Sequence, residues 1–318
     1  MEQKSYIITG PTASGKSDFA HALAKRVGGV IINCDSVQVY RGIETLSASP
    51  LAGGSMCPPP WEGAHTPHID NIPYRLFSIT DGDAPLSAGL WADMAKKEYE
   101  NTIAANKVPV FAGGTGFYLK ALLDGMSPVP QIPPEVRKRA RESASYEYLQ
   151  QIDPAWAGKI SPNDRQRIVR GIEVFLSTGR PLSEWQRAPR VPVISGPITK
   201  ILILPDREML RRRIAERMPA LAKSAIAEVK DILEKSRRSV SEGGWDTALP
   251  VMKADGILEI SRYLSGEISL DAAIDLWRAK ICSHNMKHQY TWFKTNFQAD
   301  IVIDHIPTDA DIDIVLKK

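Results

Sequence analysis

Short, continuous aliphatic runs alternate with longer stretches of helical periodicity along this chain. The runs lie at residues 6–9, 30–33, 108–112, 200–204 and 301–303. They do not alternate in polarity, which is the pattern of strands buried on both faces. Between them, residues 16–27 and 90–106 place apolar side chains at helical spacing. The pattern predicts an α/β fold, a parallel sheet covered by helices. In such sheets ligands bind beyond the carboxyl ends of the strands. Polar turns follow the first three strands: residues 10–17, Asp35-Ser36, and Gly113-Gly114-Thr115. They are expected to converge on one crevice.

The sheet pattern lapses between about residues 126 and 190, a segment bounded by Pro128, Pro130, Pro133 and Pro134 and by Pro189, Pro192 and Pro197. Helical patterns at 134–147 and 163–177 fill it. This predicts a core of residues 1–125 and 196–318 interrupted by a helical insertion at 126–195. Residues 47–73, rich in Pro and Gly, read as a surface loop. Trp277, Tyr290, Trp292 and Phe293 fall at helical spacings and are expected to pack as core.

At 318 residues, with 43% hydrophobic and 24% charged side chains, the chain has the composition of an ordinary globular protein. No apolar run approaches the roughly 18 residues of a membrane span. The first strand starts too early for a signal peptide, and Cys34, Cys57 and Cys282 suit no disulfide framework. A reduced, cytoplasmic monomer is expected. Net charge is only +3, but residues 126–190 carry eleven Lys/Arg against seven Asp/Glu, while the tail from Asp300 is acidic. That concentration admits a polyanionic partner as well as a solvated helical face.

The first turn carries the sharpest chemistry. Gly10-Pro11-Thr12-Ala13-Ser14-Gly15-Lys16-Ser17 fits the phosphate-loop pattern between a strand and a helix. Its backbone N–H groups and the following helix dipole face phosphate oxygens. Lys16 would reach the terminal phosphates and Ser17 would hold Mg²⁺. Asp35 in the same crevice has three candidate roles: a Mg²⁺ ligand through water, a general base, or a cap of the next helix. Thr115 and its glycines form either a tight strand–helix connection or a second set of donors. Cys282, His284 and His288 do not converge readily on one helix, and no CxxC accompanies them, so no zinc site is expected.

Taken together, the motifs resemble the bacterial tRNA dimethylallyltransferases. They are the phosphate loop, Asp35-Ser36-Val37-Gln38-Val39-Tyr40-Arg41-Gly42, Gly113-Gly114-Thr115-Gly116-Phe117-Tyr118, Pro134–Arg137, Asn163–Arg167, Arg213 to Met218, and Gln289-Tyr290-Thr291-Trp292-Phe293. The likeness spans about residues 5–297. It implies a P-loop NTPase-like core and transfer of a dimethylallyl group from dimethylallyl diphosphate to the N6 of the adenosine 3′ of the anticodon, in tRNAs reading codons that begin with U. By that resemblance the loop residues Gly10, Pro11, Thr12, Ala13, Ser14, Gly15, Lys16 and Ser17, with Arg213, bind the diphosphate. Asp35, Thr115, Lys16 and Arg217 are catalytic, with Asp35 taking the amine proton. Asp35, Ser36, Val37, Gln38, Thr115, Arg137, Gln166 and Arg167 contact tRNA, and Mg²⁺ is held at Ser17.

The chain departs from the family pattern at residues 43–50, at Tyr74, at 254–258 and at 282–288, which bears on tRNA affinity. Two rival readings stand beside this one. A small-molecule kinase would share only the phosphate loop, and a tRNA-binding protein without catalysis would not need Lys16, Ser17, Asp35 and Thr115.

Overall fold

The structure, a computed structural model, describes residues 4–52, 67–83, 86–238 and 249–318. The run Cys57-Pro58-Pro59-Pro60-Trp61 lies outside the described residues. The chain divides into two compact units, Met1–Leu123 with Val193–Lys318, and Asp124–Pro192.

The first unit is built on a sheet of seven strands among the described residues, in spatial order β3-β4-β2-β5-β1-β6-β7. The strands are β1 (Ser5–Thr9), β2 (Gly29–Asn33), β3 (His68–Ile69), β4 (Ile72–Arg75), β5 (Val108–Gly113), β6 (Ile198–Ile203) and β7 (Ile301–Ile303). All neighbours run parallel except β3 and β4. β1, β2 and most of β5 are fully buried, as continuous aliphatic strands require. Ile8, Ile31, Val110 and Ile201 form one core with Phe19 and Leu23 of helix α1 (Lys16–Val27). Helices α2 (Ala88–Ala104) and α3 (Gly116–Asp124) follow β4 and β5.

The stretch expected as a loop at 47–73 contains β3 and the start of β4. The two strands are turned back by Asp70 and Asn71, both at left-handed φ (50° and 64°). That is the backbone of a tight hairpin, but a two-residue strand has too few positions to show a period.

The second unit holds no strand among its described residues. Its helices are α4 (Pro134–Glu142), α5 (Tyr146–Ile152), α6 (Pro154–Ala157), α7 (Arg165–Thr178) and α8 (Leu182–Trp185). They close over Ala140, Leu149, Ile168 and Ile172. The single helix expected at 134–147 is two helices. The Ser145 side chain accepts from the Tyr148 N–H at 3.0 Å, starting a new helix where serine competes with the helical backbone.

The chain then returns to the first unit through β6. Helices α9 (Arg207–Arg238), α10 (Ile257–Leu264) and α11 (Leu270–Lys280) share a core of Leu210, Ile214, Met218, Ile257 and Trp277. One π-helical turn (Ile281–Asn285) leads into α12 (Met286–Asn296), and α13 (Asp309–Lys317) follows β7. Trp277 and Phe293 are core residues, whereas Tyr290 and Trp292 are only half-buried. The latter two face other elements of the unit, as described below. No described helix is long and apolar enough to cross a membrane.

Candidate functional site

The phosphate loop leaves β1 and enters α1 at Gly15, whose φ of 90° suits a residue without a Cβ. Its apex, Ala13, is also left-handed (φ 63°). Arg213 of α9 donates from Nε to the Ala13 carbonyl at 3.0 Å, so this arginine braces the loop from behind with one of its nitrogens. The Ser14 hydroxyl is buried and lacks a hydrogen-bond partner among the described residues. Lys16 donates from Nζ to the Pro11 carbonyl at 3.4 Å, a long contact that an anionic ligand would replace easily.

Three positive groups gather here. Burial lowers the pKa of Lys16, the nearby Arg217 charge lowers it further, and Asp35 opposes both. Arg217 is likewise lowered by burial and by Arg213, with Asp18 opposing. The Arg217 Nε is buried without a hydrogen-bond partner among the described residues. Clustered, desolvated cations with an unmade hydrogen bond are the electrostatic arrangement that an oligoanion relieves.

The ends of β2 and β5 form the opposite wall. A Cβ on Gly113 would lie 2.2 Å from the Cys34 carbonyl carbon and 2.3 Å from its oxygen, so only glycine lets these strands meet. Thr115 donates its N–H to the Cys34 carbonyl at 3.2 Å. The Thr115 hydroxyl accepts from the Ser36 N–H at 2.9 Å and donates to the Ser36 hydroxyl at 3.1 Å. Among the described residues that hydroxyl is therefore engaged with Ser36.

Asp35 is oriented by a residue the motif reading left out. Buried Asn33 accepts from the Asp35 N–H at 2.8 Å and donates to the carbonyls of Asp35 and Leu76, both at 3.0 Å. One carboxylate oxygen of Asp35 accepts from the Val37 N–H at 2.9 Å, the turn-capping role, and the other accepts no hydrogen bond from the described residues. Val37 contributes its backbone, while its side chain packs against the α9–α12 core.

Gln38 donates from Nε2 to the carbonyls of Ser47 and Ala48, both at 3.2 Å. Those carbonyls belong to the departing run 43–50, which is braced by two carboxylates. Buried Glu44 accepts from the Gly42 N–H (3.0 Å) and the Ser78 hydroxyl (2.6 Å). Glu228 of α9 accepts from the N–H groups of Thr45 (2.7 Å) and Leu46 (2.8 Å). Lys16, Ser17, Gln38, Tyr74, Phe77 and Gly113 line one recess.

Helix α12 completes the wall. Gln289 accepts from the Thr12 N–H at 2.9 Å and donates to the Gly114 carbonyl at 3.3 Å. Trp292 lies against Gly116, where a Cβ would come within 2.6 Å of the indole. The structure thus brings together the phosphate loop, Asp35, Ser36, Val37, Gln38, Thr115, Arg213 and Arg217 in the first unit.

Arg137, Gln166 and Arg167 belong to the second unit. Gln166 and Arg167 sit exposed on the first turn of α7, where the Asp164 side chain accepts from the Arg167 N–H at 3.1 Å. The Arg167 guanidinium pairs with the same carboxylate at 3.3 Å. The Arg137 Nε is buried without a hydrogen-bond partner among the described residues.

A family model described as IPP transferase matches residues 38–296, and one described as isopentenyl transferase matches residues 3–54. The chain belongs to the IPP transferase family. It is 39% identical over 302 residues to the tRNA dimethylallyltransferase of Parvibaculum lavamentivorans, covering 93% of this chain and 89% of that protein. The enzyme of the same name from Nitrobacter hamburgensis is 41% identical over 297 residues, with 91% and 86% covered. The structure of tRNA delta(2)-isopentenylpyrophosphate transferase from Staphylococcus epidermidis superposes with a TM-score of 0.63 at 26% identity, covering 99% of this chain and 98% of that one. A eukaryotic dimethylallyltransferase acting on tRNA shares the fold at a TM-score of 0.73 and 22% identity, with 92% and 70% covered. The resemblance carried by the motifs is borne out, and the α/β core of this IPP transferase family member is P-loop NTPase-like.

Proposed function

We propose that this chain transfers the dimethylallyl group of dimethylallyl diphosphate to the exocyclic N6 of the adenosine 3′ of the anticodon, in tRNAs reading codons that begin with U. The observation that carries the reading is the facing of two chemistries in one unit. Half-buried Lys16 and Arg217 stand at the phosphate loop, and Asp35, held by Asn33, stands at the neighbouring strand end.

In the reaction the C1–O bond of the donor breaks while N6 forms a bond to C1. Diphosphate leaves with the bonding pair, and an N6 proton passes to the free oxygen of Asp35. Charge accumulates on the leaving diphosphate, so donors already aimed at it lower the barrier most. Lys16, Arg217 and the loop N–H groups supply them. Thr115 acts by positioning Ser36 and the turn that carries Asp35. The adenine must leave the anticodon stack at a cost of a few kcal/mol, recovered by contacts at the crevice. Gln38 offers its carbonyl oxygen to a base edge, since both its N–H groups are engaged. Arg137, Gln166 and Arg167 meet tRNA in the second unit.

The donor set suits Mg²⁺. Among the described residues no group of three or more His, Cys, Asp or Glu side chains converges, so a protein cage is not what this site offers. One hydroxyl, from Ser17, with diphosphate oxygens and water completing the shell, is how Mg²⁺ binds phosphate substrates. When bound, the ion would neutralise developing charge on the leaving group. We place the protein in the cytoplasm as a monomer. Phosphoryl transfer is not favoured, because the family match runs far beyond the phosphate loop.

Incorporation of labelled dimethylallyl diphosphate into unmodified tRNA, with Mg²⁺ and with EDTA, tests the reading. Mg²⁺-dependent label on the adenosine beside the anticodon is expected. Phosphoryl transfer from labelled ATP with no prenylation would overturn it.

A further inference from the structure

We propose that Gln289 is a positioning residue for the reaction: its amide fastens the diphosphate loop to the turn that carries Thr115, and so holds the two halves of the crevice at one spacing. The inference rests on the prenyl-transfer reading above.

Both partners of the side chain are backbone groups of fixed polarity. The Thr12 N–H can only donate, and the Gly114 carbonyl can only accept. Satisfying both takes a side chain with an acceptor and a donor, and an amide offers them on two separate atoms of one planar group. The residues joined are far apart in sequence, 277 and 175 positions away. No other contact among the described hydrogen bonds joins the phosphate loop to the Gly113–Thr115 turn through a single side chain.

The amide sits close against its neighbours. A Cβ on Gly114 would lie 3.2 Å from the Gln289 Nε2 and 3.6 Å from the Lys16 Cε, so the amide, the turn and the lysine stem are immediate neighbours. On the same helix, Phe293 is buried, Trp292 rests on Gly116, and the Arg207 guanidinium lies 4.7 Å from the Tyr290 ring centre. The side chain therefore starts from a rigid base.

Two consequences follow for the chemistry. The Thr12 N–H is already satisfied, so the loop meets the diphosphate with a set conformation. The Gly114 carbonyl is turned onto a donor, which removes a lone pair that would repel the diphosphate. Releasing either end lets the leaving-group side drift from the Asp35 side, and displacement of about 1 Å costs on the order of 100-fold in rate.

The test is steady-state kinetics of the full chain and its Gln289→Ala and Gln289→Glu variants, with tRNA binding and thermal midpoint alongside. Gln289→Ala is expected to lose about 10- to 100-fold in kcat. Its tRNA Kd should stay within about twofold, because both groups that Gln289 holds are backbone atoms, the Thr12 N–H and the Gly114 carbonyl, and no side chain assigned to tRNA loses a contact. Gln289→Glu carries a sharper signature. A protonated carboxyl places one O–H and one C=O where the amide had its donor and acceptor, and an ionised one places a charge beside the loop. The ratio of its kcat to wild type should therefore rise about fivefold or more as pH falls from about 8 to about 5.5, while the Gln289→Ala ratio stays flat.

A purely structural role would lower tRNA binding, kcat and thermal midpoint together and leave the Gln289→Glu ratio flat, which overturns the proposal, as does wild-type kcat in Gln289→Ala. Calorimetric binding of inorganic diphosphate separates this failure from failure of the reaction itself. If wild type binds diphosphate but transfers no prenyl group, the reaction reading fails. The proposal then still requires about fivefold weaker diphosphate binding in Gln289→Ala, and equal binding overturns it.

Discussion

Gly113→Ala and Gly114→Ala change neighbouring residues of one motif by one methyl group, yet the structure gives them different outcomes. Neither glycine has a left-handed φ, so backbone strain does not enter and space alone decides. A Cβ at 113 would stand 2.2 Å from the Cys34 carbonyl carbon, 2.3 Å from its oxygen and 2.6 Å from its Cα. Reaching a tolerable 3.0 Å means opening β2 from β5 by about 0.8 Å, and no flexible side-chain tip is there to yield. The strand ends are also joined by the Cys34 N–H to Ala112 carbonyl bond (2.8 Å) and the Thr115 N–H to Cys34 carbonyl bond (3.2 Å). Overpacking of this kind costs about 1–3 kcal/mol, and each weakened hydrogen bond adds about 1 kcal/mol. A loss of about 2–5 kcal/mol lowers the thermal midpoint by roughly 5–15 °C for a unit of this size. The displacement falls between Asp35 and Thr115, so kcat/KM should drop by about 100-fold or more.

At 114 the nearest atom is the Gln289 Nε2 at 3.2 Å, the end of a side chain that can shift by a few tenths of an ångström. Gly114→Ala should cost less than about 1 kcal/mol and no more than about 10-fold in kcat/KM. Differential scanning calorimetry and prenyl-transfer kinetics on the pair give the answer. A Gly113→Ala protein with a wild-type midpoint and wild-type turnover, or a Gly114→Ala protein more damaged than it, would refute the steric reasoning.

Three further outcomes are expected. Asp35→Asn keeps an oxygen for the Val37 N–H but cannot take a proton, so turnover should fall by about 100-fold or more while tRNA binding holds, as single-turnover and filter-binding assays would show; near-normal turnover would remove Asp35 as the base. Arg167→Ala breaks only an ion pair whose arginine is 61% exposed, so stability should be unchanged, whereas tRNA affinity should weaken and the slope of log K against log salt should fall by about one; an unchanged slope would take Arg167 off the tRNA contact. Because burial holds the Lys16 pKa below its ordinary 10.5, the alkaline loss of activity should begin below that value. The sign for stability is the reverse, since between the two pKa values the unfolded chain binds the extra proton and folding gains as pH rises; Lys16→Met should abolish that gain in denaturant titrations, and a gain that survives would assign it to another group.

Much of the crevice was legible because its components are local. Continuous aliphatic runs announce strands buried on both faces, and the spacing from Gly10 to Ser17 announces an anion site after such a strand. The residues that were missed act across the chain. Asn33 orients Asp35 partly through the Leu76 carbonyl, 43 positions away, and Glu228 holds the Thr45 N–H across 183 positions. No period or spacing carries such a pairing. Thr115 is a different case: its motif was visible, but the partner of its hydroxyl, Ser36, lies 79 positions away on the neighbouring strand end. The break between α4 and α5 was written locally in Ser143-Ala144-Ser145, where a capping serine outweighs helical periodicity.

The departing run at 43–50 shows why a site can persist while its scaffold sequence changes. What Gln38 needs from this run is two backbone carbonyls, those of Ser47 and Ala48, at the right place. Any sequence that folds the loop to that shape supplies them. Here the shape is held by carboxylates on backbone N–H groups, Glu44 from within and Glu228 from α9. Charge-assisted bonds of this type are stronger than neutral ones, and their partners are main-chain atoms that every residue carries. Ile43 and Leu46 remain tied to the core and Glu44 to its backbone partner, so only the half-buried positions between them are released from the task of placing Gln38.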